Sequence, residues 1–354
     1  MLISVSHCKA FNVVYFIKKI PSHCEAISVN SSANPFANAR GGKRYLTQND
    51  MLREKFGCKV IKISLNAGYT CPNIDGTKGT GGCTYCSAGS GTFAGDPALS
   101  VTEQFYNIRR LMNRKWNEGK YIPYFQANSN TYGPLSKLRS ITAEALALPD
   151  VCGIAISTRP DCISTDTADY LAELSDKTYL TVELGLQSVY DSTAEKINRC
   201  HTYSDFLAGY ELLHSRGINV CVHLINGLPG EDHEMMLNSV RKMAELDLHS
   251  IKIHLLHIIR GTKLAEQYLN GGFAAMTLED YVQTVCDQLE LLPPGVCIQR
   301  VTGDGEKEAL IAPLWSTKKF VVMNEIDKEM RRRDSWQGKF FGEKFAGKDN
   351  PDNG

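Results

Sequence analysis

The order of segments from residue 43 onward predicts an α/β fold with a mostly parallel sheet. Three observations carry that expectation. Six strand-like runs alternate with helix-like runs over about two hundred residues, the pattern of strands joined by helical crossovers. The first strand-like run leads into a glycine-rich loop, the place where barrels and open α/β sheets put their chemistry. The composition, 43% hydrophobic and 22% charged, is that of a globular chain and excludes global disorder. The residues alone leave closure of the sheet undecided: an open or partial barrel and a doubly wound sheet both suit six βα units.

The elements follow in order. Residues 47–57 predict a short helix capped at Asn49 or Asp50 and stopped by Gly57. Residues 59–65 (KVIKISL) alternate as a strand. After the glycine-rich loop, residues 101–117 place Phe105, Ile108, Leu111 and Met112 at helical spacing. Strands are expected at 121–126, 152–158, 179–184, 218–225 and 250–255. Helices are expected between them at 135–148, 166–174, 203–216 and 231–246, with Gly217 a stop residue. Pro123 falls near the start of the second strand, where proline is tolerated. Beyond residue 275 come a helix at 277–292, halted by Pro293, Pro294 and Gly295, a further strand at 296–301, and a helix at 318–333.

The charges balance, 39 basic against 39 acidic, which argues against a protein that grips nucleic acid mainly by neutralising phosphates. No run of eighteen apolar residues predicts a membrane span. Residues 1–42 lack the signature of a secretory signal and read as a flexible leader; the alternative is that translation starts downstream and the leader is not native. A basic run, Arg331–Arg333, with Arg40, Lys43 and Arg44, is read as solvated surface, with contact to RNA phosphates as the rival.

Twelve cysteines is the unusual count. Three of them, Cys71, Cys83 and Cys86, lie within sixteen residues on the loop after the first strand. Cys83 and Cys86 are spaced to aim both sulfurs at one centre. Gly76, Gly79, Gly81 and Gly82 between them allow tight turns and close backbone approach. Thiolates are soft donors that suit zinc or iron–sulfur clusters, and structural zinc sites are usually closed by four protein ligands. Cys58 would sit at the other end of the strand, about 20 Å away. The residues therefore leave three readings: an iron–sulfur cluster with one open iron, zinc, or ordinary loop cysteines. The remaining cysteines give no reason to expect disulfides.

Several segments in order carry a resemblance: GYTCPNIDGTKGTGGCTYC, YFQANSNTYGPL, ISTRPDCI, ELGLQS, INRCH, HLINGLPGE, IKIHLLHIIRGT and LIAPLW. Over about residues 43–335 the chain resembles the radical S-adenosylmethionine (SAM) enzymes, most closely the YhcC/YtqA-like group related to the catalytic subunit of Elongator. The eleven residues between Cys71 and Cys83 depart from the commoner C-x3-C-x2-C spacing and match the longer loop of this group.

The resemblance implies a partial (β/α)6 TIM-like barrel over 43–300 with a short α+β C-terminal extension, 301–354, that ends in a disordered tail. It implies a [4Fe–4S] cluster on Cys71, Cys83 and Cys86, and S-adenosyl-L-methionine bound at the fourth iron and cleaved reductively to a 5′-deoxyadenosyl radical. Cofactor contacts are expected from Tyr85, Gln126, Ser129, Arg159, Glu183, Gln187, Arg199, His223 and Gly230. Arg159 and Asp161 have a structural ion pair as their rival reading. Cys200 stands where the family usually has glycine. Lys252 and His254 share one strand face and, with Arg260, are expected on the substrate side. An electron donor such as a flavodoxin or ferredoxin is implied, in a reducing, cytoplasmic setting. Two alternatives remain: a radical SAM enzyme that modifies transfer or other RNA, and a non-catalytic, metal-stabilised RNA-binding module.

Overall fold

Alternation on the strands is resolved by two different neighbours. One face of each strand meets helices and the other lines the interior of a curled sheet. The computed structural model describes residues 33–87, 94–114, 119–303, 305 and 307–342. Most of the leader and the expected disordered tail lie outside the described residues. The strands are β1 (Val60–Leu65), β2 (Lys120–Phe125), β3 (Gly153–Thr158), β4 (Tyr179–Gln187), β5 (Asn219–Asn226), β6 (Ser250–Leu255), β7 (Ile258–Ile259), β8 (Cys297–Arg300) and β9 (Leu310–Ala312). All but β7 and β9 form one parallel sheet in the order β1-β2-β3-β4-β5-β6-β8. The result is a half-barrel of seven parallel strands, one more than six βα units require. Strands β7 and β9 pair antiparallel as a separate ribbon.

The helices are α1 (Gln48–Phe56), α2 (Val101–Asn113), α3 (Leu135–Leu146), α4 (Thr165–Ser175), α5 (Asp191–Lys196), α6 (Tyr203–His214), α7 (His233–Ala244), α8 (Lys263–Leu269), α9 (Leu278–Leu291) and α10 (Lys319–Arg332). Their starts are set by side-chain caps. Ser100 with Glu103, and Thr202 with Asp205, form capping boxes at α2 and α6. The cap of α1 is Thr47 rather than Asn49 or Asp50: Asp50 is the third helical residue, and its N–H donates to Thr47 Oγ1 at 3.2 Å. Gly57, at φ 71°, closes that helix in the left-handed region. Helices α5 and α8 and the β7–β9 ribbon went unexpected because each is too short to show a period.

Ile63, Leu65, Ile154, Ile156, Val182, Leu184, Val220, Val222, Ile251 and Ile253 form the helix-facing core, each essentially inaccessible. Pro123 pairs with Ile63 of β1 in the middle of β2, not near its start. The β2–β3 ladder begins only after it, at Tyr124, which accommodates the missing N–H.

Inside the curl, the N-terminal end of the sheet is plugged. Leu52, Met51 and Phe56 of α1 pack on Val60, Ile122, Tyr124 and Ala155. Helix α1 lies against both β1 and β8. The segment before it bridges to β8, with the Ile298 N–H donating to the Leu46 carbonyl at 2.8 Å. The C-terminal strand ends are left for the loops.

At the end of α10, Arg331 and Arg332 stay exposed while Arg333 is paired within the protein, as are Lys43 and Arg44. Lys43 pairs with Asp327 at 2.5 Å, Arg44 with Asp334 at 2.9 Å, and Arg332 with Glu329 at 2.7 Å. Arg333 is held by Glu329, Asp287 and Glu290. Lys43 and Arg44 tie the start of the described chain to its end, and Arg333 ties the end of α10 to α9.

Candidate active site

The cysteine loop is shaped by backbone contacts at both sides. After β2, Ala127 and Asn128 adopt left-handed conformations, φ 74° and 59°, and turn the chain back without glycine. The Asn128 side chain then donates to the Tyr69 carbonyl at 2.8 Å, and the Ser129 N–H to the Thr70 carbonyl at 3.2 Å. Those contacts place the residue before Cys71. On the other side, Asn198 Nδ2 donates to the carbonyls of Gly82 at 2.8 Å and Thr80 at 3.2 Å. The Thr84 N–H reaches the Ile197 carbonyl at 2.9 Å. Asn73 Nδ2 completes the clamp on the Asn198 carbonyl at 2.5 Å. Gly79 is required here: a Cβ would lie 2.3 Å from Asn73 Oδ1 and 2.7 Å from Cys200 Sγ.

Cys71, Cys83 and Cys86 carry free thiols and line one cavity of about 360 Å³ at the C-terminal end of the sheet. The Cys86 N–H bonds the Cys83 carbonyl at 3.0 Å, so these two sit on one tight turn. Two nitrogens approach the Cys83 sulfur, Asn73 Nδ2 at 3.6 Å and Arg199 Nη1 at 3.7 Å. A hydrogen bond from the Cys86 thiol, aided by the Arg199 charge, holds Cys83 well below the usual thiol range against the effect of burial. Arg199 donates also to the Gly185 carbonyl at 2.5 Å, while its Nε is buried without a partner. Three thiols around one space, one already favoured as thiolate and receiving N–H···S bonds, fit a thiolate-held iron–sulfur cluster with one open iron.

Arg159 also lines the cavity, and four of its five N–H groups are engaged. It grips Asp161 through two bonds of 2.9 Å and donates to the carbonyls of Arg199 at 2.7 Å and Cys200 at 3.0 Å. Burial would raise the Asp161 carboxyl, but hydrogen bonds from Arg159 and Lys78 hold it at about 2. The structural ion pair is thus realised, and it braces the turn that carries Arg199.

Below the cavity lies a second cluster, built from strand residues. Glu183 of β4 is completely buried. It accepts from Lys62 of β1 at 2.7 Å, from Lys252 of β6, and from His223 of β5 at 2.9 Å. Lys62 reaches onward to Gln299 of β8 at 2.8 Å, linking the two edge strands across the interior. Lys252 also approaches the Tyr124 hydroxyl at 3.3 Å. Burial would raise the Glu183 carboxyl; the charges of Lys252 and Lys62 and the His223 bond overcome it and hold it well below the carboxylate range. Burial brings Lys252 down to about 8 and His223 to about 4. Glu183, Cys221 and His223 bring ligand atoms within 4.8 Å of one another, yet two lysines already occupy the carboxylate and oppose a cation there.

The structure brings together on the cavity the three cysteines and Tyr85, Ser129, Arg159, Gln187, Arg199 and His223. Gln187, at φ 78°, ends β4 on a bulge opposite Leu224. Glu183, Lys252 and His254 lie on strand faces of the interior, not on the cavity lining. Gln126 is half-buried after β2, its N–H on the Leu65 carbonyl at 3.1 Å. Gly230, at φ 85°, sits against Lys196. Arg260 is exposed at the ribbon, its N–H on the Ala309 carbonyl at 2.7 Å. Sequence reasoning missed Lys62, Asn73 and Asn198. Lys62 was visible as the lone charge on the inward face of β1; the asparagines carry no spacing signal.

The chain matches the Radical SAM superfamily over residues 74–243 and the Radical_SAM C-terminal domain over 248–332. It is 51% identical over 309 residues to YtqA of Bacillus subtilis, covering 87% of this chain and 96% of that one. It is 36% identical over 278 residues to YhcC of Escherichia coli K12, covering 78% and 89%. The archaeal Methanocaldococcus infernus Elp3 shares the fold, with a TM-score of 0.59 at 18% identity over 78% of this chain and 64% of that one. Enzymes of this superfamily generally bind a [4Fe–4S] cluster and SAM and need a reductant. Among the described residues no helix is long and apolar enough to cross a membrane. Half-barrel, cysteine loop and relatives agree: the chain belongs to the radical SAM superfamily of enzymes, in the group of YtqA and YhcC.

Proposed function

We propose that this chain binds a [4Fe–4S] cluster through Cys71, Cys83 and Cys86 and cleaves SAM reductively to act on a substrate held inside the half-barrel. The observation that supports the reading is the convergence of three free thiols on one cavity, with Asn73 and Arg199 directed at the Cys83 sulfur. When bound, the cluster and SAM together supply a 5′-deoxyadenosyl radical by one-electron cleavage of the sulfonium C–S bond.

The chain's own residues then have distinct tasks. Arg199 and Asn73 stabilise negative charge on Cys83. The clamp of Asn198 and Asn128 fixes the loop in position. Arg159, held by Asp161 and two carbonyls through four of its five N–H groups, acts chiefly as a brace. The α1 plug closes the far end of the interior, which keeps water from a reactive species. A flavodoxin or ferredoxin in a reducing cytoplasm suits the electron supply. The domain division assigns 43–300 to this chemistry and 301–354 to a supporting extension.

The test is anaerobic preparation, followed by assay of iron and sulfide and of 5′-deoxyadenosine after reduction with SAM present. Equal iron and sulfide and deoxyadenosine release are expected, and Cys83→Ala abolishes both. Zinc in place of iron, with no deoxyadenosine, overturns the proposal. RNA as substrate is tested by profiling RNA modifications and metabolites with and without Cys83→Ala; loss of a modified nucleoside identifies it.

A further inference from the structure

The Glu183 cluster forms a charged floor under the cavity, and one of its side chains belongs to both. His223 of β5 lines the cavity, with 14% of its side chain accessible. Its Nε2 lies 2.9 Å from Glu183 Oε2. The charges of Lys252 and Lys62 keep that carboxylate ionised, so it can only accept. The hydrogen of the shared bond therefore sits on His223 Nε2. A neutral imidazole protonated at one nitrogen carries its free lone pair on the other, here Nδ1. Among the described residues no donor meets Nδ1, and it is not sealed off as His254 Nε2 is. The lone pair is left to the cavity.

The surroundings also keep the ring from taking a second proton. The groups facing it are Glu183 on β4, Cys221 on β5, Lys62 on β1, and Lys252 and His254 on β6. Arg199 stands against Gly185, the ladder partner of His223. Burial first, and then the Lys252 charge, outweigh the Glu183 bond and hold His223 at about 4. An ordinary histidine, near about 6.5, turns from acceptor to donor in the neutral range. His223 stays an acceptor there.

We propose that His223 Nδ1 is a fixed hydrogen-bond acceptor for an N–H or O–H group of the substrate, and that it disfavours a carboxylate or phosphate at that point. This rests on the reading that the half-barrel interior holds the substrate, and it names a chemical feature of that substrate. A hydroxyl, amine or amide placed there fills the empty acceptor. An oxyanion would set lone pair against lone pair. Glu183 is the positioning residue, because its ionised form fixes which nitrogen carries the hydrogen. A site built for a donor rejects the analogue that lacks one, since its own polar atom is then left unpaired.

Diethyl pyrocarbonate acylates an accessible, unprotonated imidazole nitrogen. It is applied to the full-length chain without cluster or SAM, and labelled peptides are read by mass spectrometry. Label on His223 is expected, at a rate that is flat from about pH 5 to 8. An unlabelled His223 beside a labelled, exposed His233, or a rate that falls through about 6.5, overturns the proposal. His223→Gln keeps a donor for Glu183 but offers no nitrogen lone pair. Extract of cells carrying Cys83→Ala supplies unconverted substrate to anaerobic holoenzyme. An apparent KM raised about tenfold or more in His223→Gln is expected, as loss of one hydrogen bond requires. An unchanged KM overturns the proposal, and so does a loss of SAM affinity in its place, which gives the lone pair to the cofactor. The labelling needs no turnover, so failure of radical chemistry leaves its result standing, and an unlabelled His223 leaves radical chemistry untouched.

Discussion

Around Cys83 the side chains bond mostly to backbone, whereas around Glu183 they bond to one another. Asn73, Asn128, Asn198, Arg159 and Arg199 all end on carbonyls of the loops they hold. Lys62, Lys252 and His223 end on a single carboxylate. The difference extends to the main chain. Seven non-glycine residues among those described have positive φ, and Ala127, Asn128, Gln187, Asn198 and Cys200 border the loop site. Strain is thus concentrated around the cysteine loop, at roughly 1–3 kcal/mol per residue. The charged floor sits in regular strands and stores its cost as desolvation instead. A loop site is specified by conformation, and a strand site by charge.

The largest test of that contrast is Glu183→Gln. It leaves Lys62 and Lys252 buried without a carboxylate, and a loss of about 3–5 kcal/mol in urea unfolding is expected. A loss under about 1 kcal/mol would mean that the floor is not dry. Acid is the next lever. His223 in the floor and His249 beside Tyr179 are each lowered to about 4, chiefly by burial. Unfolding lets them take up protons at the ordinary value of about 6.5. Their contribution is therefore complete above pH 6.5 and lost as pH falls toward 4, on the order of 3 kcal/mol each. Denaturation midpoints between pH 7 and 4 measure this; a flat profile would contradict it.

Gly185→Ala joins the two regions. Its Cβ would lie 2.7 Å from Arg199 Nη2 and 2.8 Å from Gln187 Nε2. A cost of about 1–3 kcal/mol and reduced iron content are expected, because Arg199 must leave the Cys83 sulfur. The smallest effect belongs to Cys200→Gly. Cys200 sits at φ 56°, where glycine is unstrained, so a gain of up to about 1 kcal/mol in thermal unfolding is expected, with iron content unchanged. Loss of iron would instead make this thiol part of the cluster site.

The strand–helix order was legible because each strand and most helices carry their own period and caps. The cysteine triplet was legible because its three thiols are close in sequence. Glu183 was placed in the interior by alternation, but its partners come from β1, β5 and β6, and no local pattern names them. Lys62 shows the limit best: it lies 121 residues from Glu183. Arg159 was left between two roles until Asp161 and the carbonyls after Asn198 closed around it. In the Arg331–Arg333 run the first two arginines stay exposed as surface charge, and only Arg333 is drawn into a cluster with Asp287, Glu290 and Glu329.

By itself the sequence determined the parallel α/β class and the close spacing of three cysteines on the loop after the first strand. Each of these depends on spacing along the chain, which is preserved in any conformation. Tertiary structure decided that a seventh strand extends the sheet, that α1 plugs its lower end, and that one carboxylate is shared by two lysines and a histidine. Those outcomes depend on which residues the curl of the sheet brings within a few ångströms. Burial then converts that proximity into charge states that no single segment encodes.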